Sequence, residues 1–442
     1  MGMLTLMAKL PEVVEEFASD QWEREIPKPI WSRWLAGAGS DGPGFRRWQR
    51  WIWWTGQRGM LKKLAASVYL MRGFVEAPYE VWSSLRQCGE KTKRVHDISR
   101  ITQYKQLLVL RWRYGMRPES YYRFQMFLPD RIPVAQHFIE QIGPCLQVIH
   151  RRTYRAPDEH IFSSKEEFRS WCAAKAIPTV DNLLEVSKGK IISRAACRLP
   201  ASDLFVKPTN WRQGRGVSLW RCKQDSEGHC YTDNSGTTLN ASEMEDFVCR
   251  TSLEQDRPYI VQQVLTNHRS LRNYSNGGLA TVRLMTVRSL GTSAQPLMAA
   301  LKMPTGDAIV DNFDRGGVAA PIDLDTGVLG AGLQKKGQLP PDVLHVHPDT
   351  GSQITGFTVP CWAECLALAC RAHDLIQTQV PVIGWDIAIL DDGPIIIEPN
   401  HLPCQNLAQM PGGFPLGVSP FAEIVIARLR DSFLKGDRPT TR

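Results

Sequence analysis

The chain has 442 residues, which is enough for two or three domains, and its 43% hydrophobic and 22% charged residues are typical of a soluble globular protein. No run approaches the roughly 20 apolar residues that a membrane-spanning helix needs, and the first residues lack the pattern of a signal peptide. The eleven cysteines include no C-x-x-C pair, and together these features predict a protein of the reducing cytoplasm.

The formal net charge of +8 is concentrated in the first third of the chain. Residues 1–150 contain 22 Lys and Arg against 14 Asp and Glu, and they also contain nine of the fourteen tryptophans. Within residues 46–72, Trp48, Trp51, Trp53 and Trp54 are interleaved with basic side chains. Two interpretations stay open: an amphipathic segment on the anionic inner face of a membrane, or a helical core with a solvated basic face. Nucleic-acid binding is not expected, because no known module accompanies these charges.

The spacing of apolar residues predicts a mostly helical N-terminal region over residues 1–150. Amphipathic runs cover residues 61–72, 98–114 and 134–142, and Pro118, Pro129 and Pro133 interrupt the pattern. Residues 36–44 have the composition of a linker. We expect an α+β catalytic domain over residues 151–435, followed by a flexible tail at residues 436–442.

Residues 203–220 predict a short apolar strand that ends at Lys207, a polar loop with Gly214 and Gly216, and a second strand from Val217. Two glycines so spaced let backbone N–H groups approach a phosphate, and a lysine at a strand end supplies a positive charge. An ordinary hairpin turn has the same appearance. The pattern is neither a Walker loop nor a Rossmann fingerprint, because no helix pattern follows the glycines.

Residues 381–400 predict a β-hairpin in which two apolar strands flank a three-residue loop, Asp391 to Gly393. A loop of that length places Leu390 opposite Pro394. It also places Asp386 opposite Glu398, so that the two carboxylates share one face of the hairpin.

Asn400 joins Asp386 and Glu398 on this face, because strand side chains alternate with a period of two. Hard oxygen ligands of this kind suit Mg²⁺ or Mn²⁺ together with nucleotide phosphates. The alternative is a hairpin whose polar face is simply solvated.

In chain order, six segments resemble the ATP-grasp superfamily, and most closely its sugar-transfer-associated branch, which is related to alpha-L-glutamate ligases. They lie between about residues 100 and 430, at 163–179, 205–219, 259–268, 280–287, 309–330 and 384–400. The resemblance implies an ATP-grasp fold, in which two α+β lobes hold a nucleotide between them, here preceded by the mostly helical N-terminal region.

The resemblance also implies roles for the matched residues. The nucleotide would be bound by two phosphate lysines, a mobile glycine loop and a hinge that meets adenine: Lys165, Lys207, Gly214, Gly216, Gln262, Gln263 and Val264. Many members carry a glutamate at this hinge, where the present chain has glutamines. Lys165 is equally compatible with a solvated first helical turn.

Three further residues are predicted to be catalytic. Arg283 matches a basic residue that stabilises the transferring phosphoryl group, although a charged side chain there could also face outward from a sheet. Asn312 and Arg315 fall in a Gly-rich stretch that we interpret as an active-site loop, with an ordinary polar turn as the alternative. The metal ligands of the family correspond to Asp386, Glu398 and Asn400.

The resemblance implies an ATP- and Mg²⁺-dependent ligase, ADP-forming, that joins a carboxylate to an amine through an acyl phosphate. A sugar-linked or amino-acid carboxylate, in polysaccharide or secondary-metabolite biosynthesis, is the expected substrate class. The alternatives are an ATP-dependent phosphotransferase and a non-catalytic nucleotide-binding scaffold. Cys404, where several relatives have glycine, is the only nucleophile candidate, and a nearby His401 is weak support for a Cys/His pair.

Overall fold

The structure is a computed structural model that describes residues 60–140, 159–162, 164–209, 216–225, 228–306, 308, 313–377 and 380–434. For residues 60–72, 159–160 and 429–434 it describes the backbone alone. Several sequence predictions therefore lie outside the described residues: the Trp-rich segment before residue 60, the linker at 36–44, the boundary at 150, the tail, Gly214 and Asn312.

The described residues form two compact units, one of which contains residues 60–140, 330–344 and 402–434. Its helices are α1 (Met60–His96), α2 (Arg100–Tyr114) and α3 (Pro118–Arg123). The predicted amphipathic run at 98–114 is confirmed by α2, whose first turn is capped by Ser99 and whose end is marked by Gly115 with φ of 67°. Around residue 134 the chain forms a 3-10 helix, Ile132–His137, with Pro133 in its first turn, instead of an α-helix.

The second unit contains the rest of the described chain and two antiparallel sheets. The strand order in its first sheet is β2-β1-β7-β3-β4-β5-β6, and the helices α4 (Lys165–Ala174) and α5 (Ala241–Glu254) accompany it. The strands are β1 (Asn182–Ser187), β2 (Lys190–Arg194), β3 (Leu204–Pro208), β4 (Ser218–Asp225), β5 (Gly228–Thr232), β6 (Thr238–Asn240) and β7 (Tyr259–Gln263).

Within this unit, the strands of the second sheet have the order β10-β9-β8-β13-β14. Its strands are β8 (Thr281–Val287), β9 (Gln295–Met303), β10 (Val318–Ile322), β13 (Val382–Leu390) and β14 (Gly393–Asn400), with α6 (Trp362–Leu375) packed on them. Helix α6 is fixed by a buried chain in which Trp385 donates to the Thr286 hydroxyl, itself 2.7 Å from His373 Nδ1. A parallel bridge joins Thr179 to Ile396 of β14.

The first unit also contains β11 (Gly332–Gln334), β12 (Asp342–Leu344), α7 (Gln405–Gln409) and α8 (Pro420–Leu434). No described helix combines the length and the apolar character needed to cross a membrane. Helices precede two sheets of mixed α+β structure, so the predicted fold class is confirmed.

Candidate functional site

The hairpin of β13 and β14 brings Asp386 opposite Glu398, but by a route that differs from the predicted one. Its turn has two residues, and Leu390 faces Gly393, so the predicted pairing of Leu390 with Pro394 is wrong. Gly393, which follows the turn as the first residue of β14, takes a φ of 117°, the positive φ that was predicted for it.

A β-bulge then restores the predicted register. Ile387 faces Ile396, and the next pair along the strands is Asp386 with Glu398, so Ile397 is the extra residue on β14. Without the bulge, a two-residue turn would place the Asp386 side chain on the opposite face from Glu398. The chemistry of this face therefore depends on one extra residue in β14.

Asp386 is buried and carries two cationic partners. The Arg283 guanidinium donates to both carboxylate oxygens, Nε to Oδ1 at 2.7 Å and Nη2 to Oδ2 at 2.9 Å. Lys302 Nζ lies 3.1 Å from the same Oδ1. Burial alone would raise the pKa of Asp386, but the charges of Arg283 and Lys302 outweigh it and hold that pKa well below its ordinary value.

The register of the sheet explains these contacts. Arg283 of β8 lies directly opposite Asp386 of β13, and Lys302 of β9 lies opposite Thr281, two residues from Arg283 along β8. The predicted alternative, in which Arg283 faces outward into solvent, is not what the structure has, because its side chain is only 14% exposed.

Lys302 was not anticipated from the sequence. It is 7% exposed, between the fully buried Leu301 and Met303. The sequence feature that could have indicated this residue is a single lysine inside an otherwise apolar strand. A lysine in such a strand is expected to be paired, because lysine is rarely buried otherwise.

Glu398 and Asn400 are half-buried on the same edge of the sheet, and Asn400 Nδ2 has no hydrogen-bond partner among the described residues. Carboxylate and amide oxygens are the ligands that Mg²⁺ and Mn²⁺ prefer. No described cluster of three His, Cys, Asp or Glu side chains could hold a metal, so the Asn400 amide would have to serve as the third ligand. With that amide, the donor set of Asp386, Glu398 and Asn400 fits such a cation.

Lys207 of β3 and Lys165 of α4 lie close enough to interact electrostatically. Burial first, and then the charge of Lys165, lower the pKa of Lys207 from 10.5 to about 7, against the opposing effect of Glu398. Lys165 begins α4 immediately after Ser164, whose hydroxyl caps the helix by accepting from the Glu167 N–H. Two ammonium groups near a helix N-terminus are an unfavourable arrangement that an anion would relieve.

The predicted hinge residues are partly engaged within the protein. Gln262 is buried and its Nε2 donates to Asn182 Oδ1 at 2.7 Å, while the Val264 N–H donates to the Asp203 carbonyl at 2.9 Å. Gln263 is exposed at the end of β7. The buried network continues, since Asn182 Nδ2 donates to Glu185 Oε1 at 2.8 Å.

The remaining predicted residues lie in loops. Gly216 has a φ of 65°, which favours glycine, and Arg315 is exposed in the 3-10 helix Phe313–Arg315. The structure therefore brings Asp386, Arg283 and Glu398 into one row, with Lys207 and Lys165 near enough to interact electrostatically. Cys404 is exposed at the start of α7.

Comparison with known proteins supports one family. Residues 149–418, more than half of the chain, match the family model described as sugar-transfer associated ATP-grasp. A search among curated proteins found no match.

Solved structures that resemble the chain include D-alanyl-alanine synthetase A from Vibrio cholerae, with 9% identity, a TM-score of 0.37, and coverage of 62% of this chain and 66% of that one. Another is an L-amino acid ligase from Bacillus licheniformis, with 12% identity, a TM-score of 0.34, and coverage of 61% and 50%. The chain thus spans less than two thirds of the length of either protein.

Proposed function

We propose that this chain, which belongs to the sugar-transfer associated ATP-grasp family, is an ATP- and Mg²⁺-dependent ligase that joins a carboxylate to an amine. The observation that carries the proposal is the row of Arg283, Asp386 and Glu398 across three adjacent strands. Such a row supplies positive charge and hard oxygen ligands on one face, which phosphoryl transfer needs.

On this proposal Lys165 and Lys207 bind the nucleotide phosphates, because a phosphate would compensate both the burial of Lys207 and its repulsion by Lys165, which lower the pKa of Lys207. The glycine loop with Gly214 and Gly216 covers the phosphates, and the segment from Gln262 to Val264 contacts the base. Exposed Gln263 is the hinge side chain that remains accessible to a ligand.

Asp386, Glu398 and Asn400 would hold the divalent cation, whose contribution when bound is to neutralise charge on the phosphates. Arg283 and Lys302 lie beside these ligands and place two further positive charges where negative charge develops during transfer. Arg315 and Asn312 fall in the stretch that we interpret as an active-site loop, and we propose that both are catalytic.

On this proposal the reaction proceeds in two steps, phosphoryl transfer and then amide formation. A carboxylate oxygen attacks the γ-phosphorus of ATP, the bond from that phosphorus to the bridging oxygen breaks, and ADP leaves with the electron pair. The amine nitrogen then attacks the carbonyl carbon of the acyl phosphate, the carbon–oxygen bond to phosphate breaks, and the nitrogen loses a proton to solvent. We propose a sugar-linked or amino-acid carboxylate as the substrate, on the family resemblance.

The test is isotopic. The full-length protein is screened for ADP release against carboxylates and amines, and the active carboxylate is then labelled with ¹⁸O. We expect label in the released phosphate and ADP as the nucleotide product. Release of AMP and pyrophosphate would contradict the acyl phosphate, and label retained wholly in the organic product would favour a phosphotransferase. Absence of any ADP above the Glu398→Ala background would favour a non-catalytic scaffold.

A further inference from the structure

Three buried polar side chains form a hydrogen-bonded row in the first sheet: Gln262, Asn182 and Glu185, which are 8%, 5% and 6% exposed. Gln262 Nε2 donates to Asn182 Oδ1 at 2.7 Å, and Asn182 Nδ2 donates to Glu185 Oε1 at 2.8 Å. Neither Asn182 nor Glu185 has a role in the proposed ligation. A buried polar network of this kind holds its members in one orientation, so the row fixes the amide of Gln262.

A β-bulge brings the row onto one face of the sheet. Asn182 of β1 lies opposite Gln262 of β7, and Glu185 lies opposite Ile260. Three steps along β1 thus match two steps along β7, because Leu183 is an extra residue. In a regular strand, residues three apart point to opposite faces, so Asn182 could not contact both Gln262 and Glu185.

The same face of the sheet carries Lys207. Lys207 of β3 lies opposite Ile260, two residues from Gln262 along β7, and side chains two apart on a strand share a face. Val206 and Val261 point to the other face, where they belong to a hydrophobic core that includes residues of α5. A nucleotide whose phosphates bind Lys207, as in the proposed function, would therefore lie on the face that carries Gln262.

The direction of the hydrogen bonds follows from the carboxylate at the end of the row. An ionised carboxylate only accepts, and Arg169 Nη2, a second donor, lies 3.4 Å from the same Glu185 Oε1. Asn182 must therefore turn its NH₂ group to Glu185 and its oxygen to Gln262. Gln262 in turn donates its own NH₂ group, which leaves Oε1 as the amide atom for a ligand. Among the described residues, none donates a hydrogen bond to that oxygen.

We propose that Asn182 and Glu185 are positioning residues for nucleobase recognition, which hold Gln262 Oε1 toward the ligand so that the site selects a purine with a 6-amino group over one with a 6-oxygen. This rests on the proposed function, in which the segment from Gln262 to Val264 contacts the base. Gln263 remains the exposed side chain of that segment, whereas Gln262 contributes a single oxygen. A glutamine that is free to turn its amide would pair with either purine, so the selectivity comes from β1.

A fixed acceptor discriminates between adenine and hypoxanthine. The 6-amino group of adenine donates to Gln262 Oε1, whereas the 6-oxygen of hypoxanthine brings a second acceptor against it and leaves both oxygens unpaired. Such a mismatch costs a factor of about ten or more in affinity. The two bases are almost equal in size, so a comparison of ADP with inosine diphosphate isolates this contact.

The test measures the affinity of the full-length chain for ADP and for inosine diphosphate by calorimetry in the presence of Mg²⁺. We expect the wild type to prefer ADP by about tenfold, and Asn182→Ala to reduce this preference to about twofold, chiefly through a gain in affinity for inosine diphosphate. Loss of a merely structural residue would instead weaken both nucleotides alike. Asn234→Ala, in the exposed turn between β5 and β6, is the matched control and should keep the wild-type preference.

Two further variants test the direction of the row. Addition of Gln262→Glu to Asn182→Ala supplies an acceptor in any orientation of the side chain, and it should restore the preference for ADP. Glu185→Leu removes the carboxylate, so that the Asn182 amide can turn, and should lower the preference as Asn182→Ala does. Asn182→Val replaces Asn182→Ala if that variant does not give a cooperative thermal transition.

Equal affinity of the wild type for the two nucleotides would overturn the positioning role. A preference that is unchanged in Asn182→Ala or in folded Glu185→Leu, an equal loss of both affinities, or failure of Gln262→Glu to restore the preference would do the same. The ligase proposal would survive each of these results if the wild type still releases ADP with a carboxylate and an amine. Conversely, the expected nucleotide preferences without any ADP release would leave the positioning role standing and remove the ligase.

Discussion

The two sheets of the second unit differ in how their buried basic side chains are compensated. In the first sheet, burial and the nearby charge of Lys165 lower the pKa of Lys207 to about 7. In the second sheet, Arg283 and Lys302 share the carboxylate of Asp386, whose pKa is held below its ordinary value. We therefore expect a ligand to supply the negative charge that the first sheet lacks, whereas the second sheet has a carboxylate of its own, that of Asp386.

The pKa shifts of Lys207 and Asp386 also determine the pH range in which each sheet affects the stability of the protein. Between about pH 7 and 10.5 the unfolded chain binds a proton at Lys207 that the folded chain lacks, so stability rises with pH in this window. The stabilisation from ionised Asp386 is complete above its ordinary pKa of 3.8 and is lost as the pH falls below that value. The two sheets therefore affect stability in separate pH ranges.

The largest effect is expected for the cation ligands. Glu398→Ala or Asn400→Ala should lower kcat at saturating ATP by on the order of 10³-fold, as loss of a group that stabilises developing charge does elsewhere. Turnover is measured as ADP release. Asp391→Asn, in the exposed turn of the same hairpin, is the matched control and should retain its rate. Near-normal turnover by Glu398→Ala would show that the hairpin has only a structural role.

A second prediction compares how a substitution in each sheet changes the free energy of unfolding. Asp386→Ala leaves Arg283 and Lys302 buried without their carboxylate, and removal of one partner from a buried pair costs about 3–5 kcal/mol. The free energy of unfolding in urea near neutral pH measures this loss. Lys207→Met should instead match or exceed the wild-type stability below about pH 7, because it removes a disfavoured charge. Equal stability of wild type and Asp386→Ala would contradict the internal charge balance of the second sheet.

The sequence predicted part of this site for sound physical reasons. The strand bounds 382–390 were predicted from a β-branched apolar run, and the pairing of Asp386 with Glu398 was predicted from a short Gly-containing turn. The bulge at Ile397 was not predictable, because a run of three isoleucines is compatible with either register. Consequently the correct carboxylate pair was obtained with the wrong loop length.

Long-range pairing explains the other omissions. Lys302 reaches Asp386 only because β9, β8 and β13 lie side by side, and their neighbourhood is not encoded in local spacing. Gln262 was expected at the nucleotide base, yet its amide is engaged by Asn182, which lies 80 residues away in the chain. Burial and partnership of a polar residue depend on tertiary contacts that periodicity does not report.

We propose that a nucleotide phosphate binds at Lys207 and supplies the negative charge that the first sheet lacks. Calorimetric titration with the non-hydrolysable analogue of ATP and Mg²⁺, in buffers of different ionisation enthalpy, measures it directly. At about pH 8 free Lys207 is mostly neutral, so binding should take up close to one proton, and affinity should fall as the pH rises further.

Lys207→Met should bind the analogue more weakly and take up no proton through this group, whereas Lys105→Met, on the exposed surface of α2, should match the wild type. Uptake of about one proton by the wild type and its loss in Lys207→Met is the result that we predict. Equal affinity and equal proton uptake in the wild type and Lys207→Met would contradict a phosphate site at Lys207.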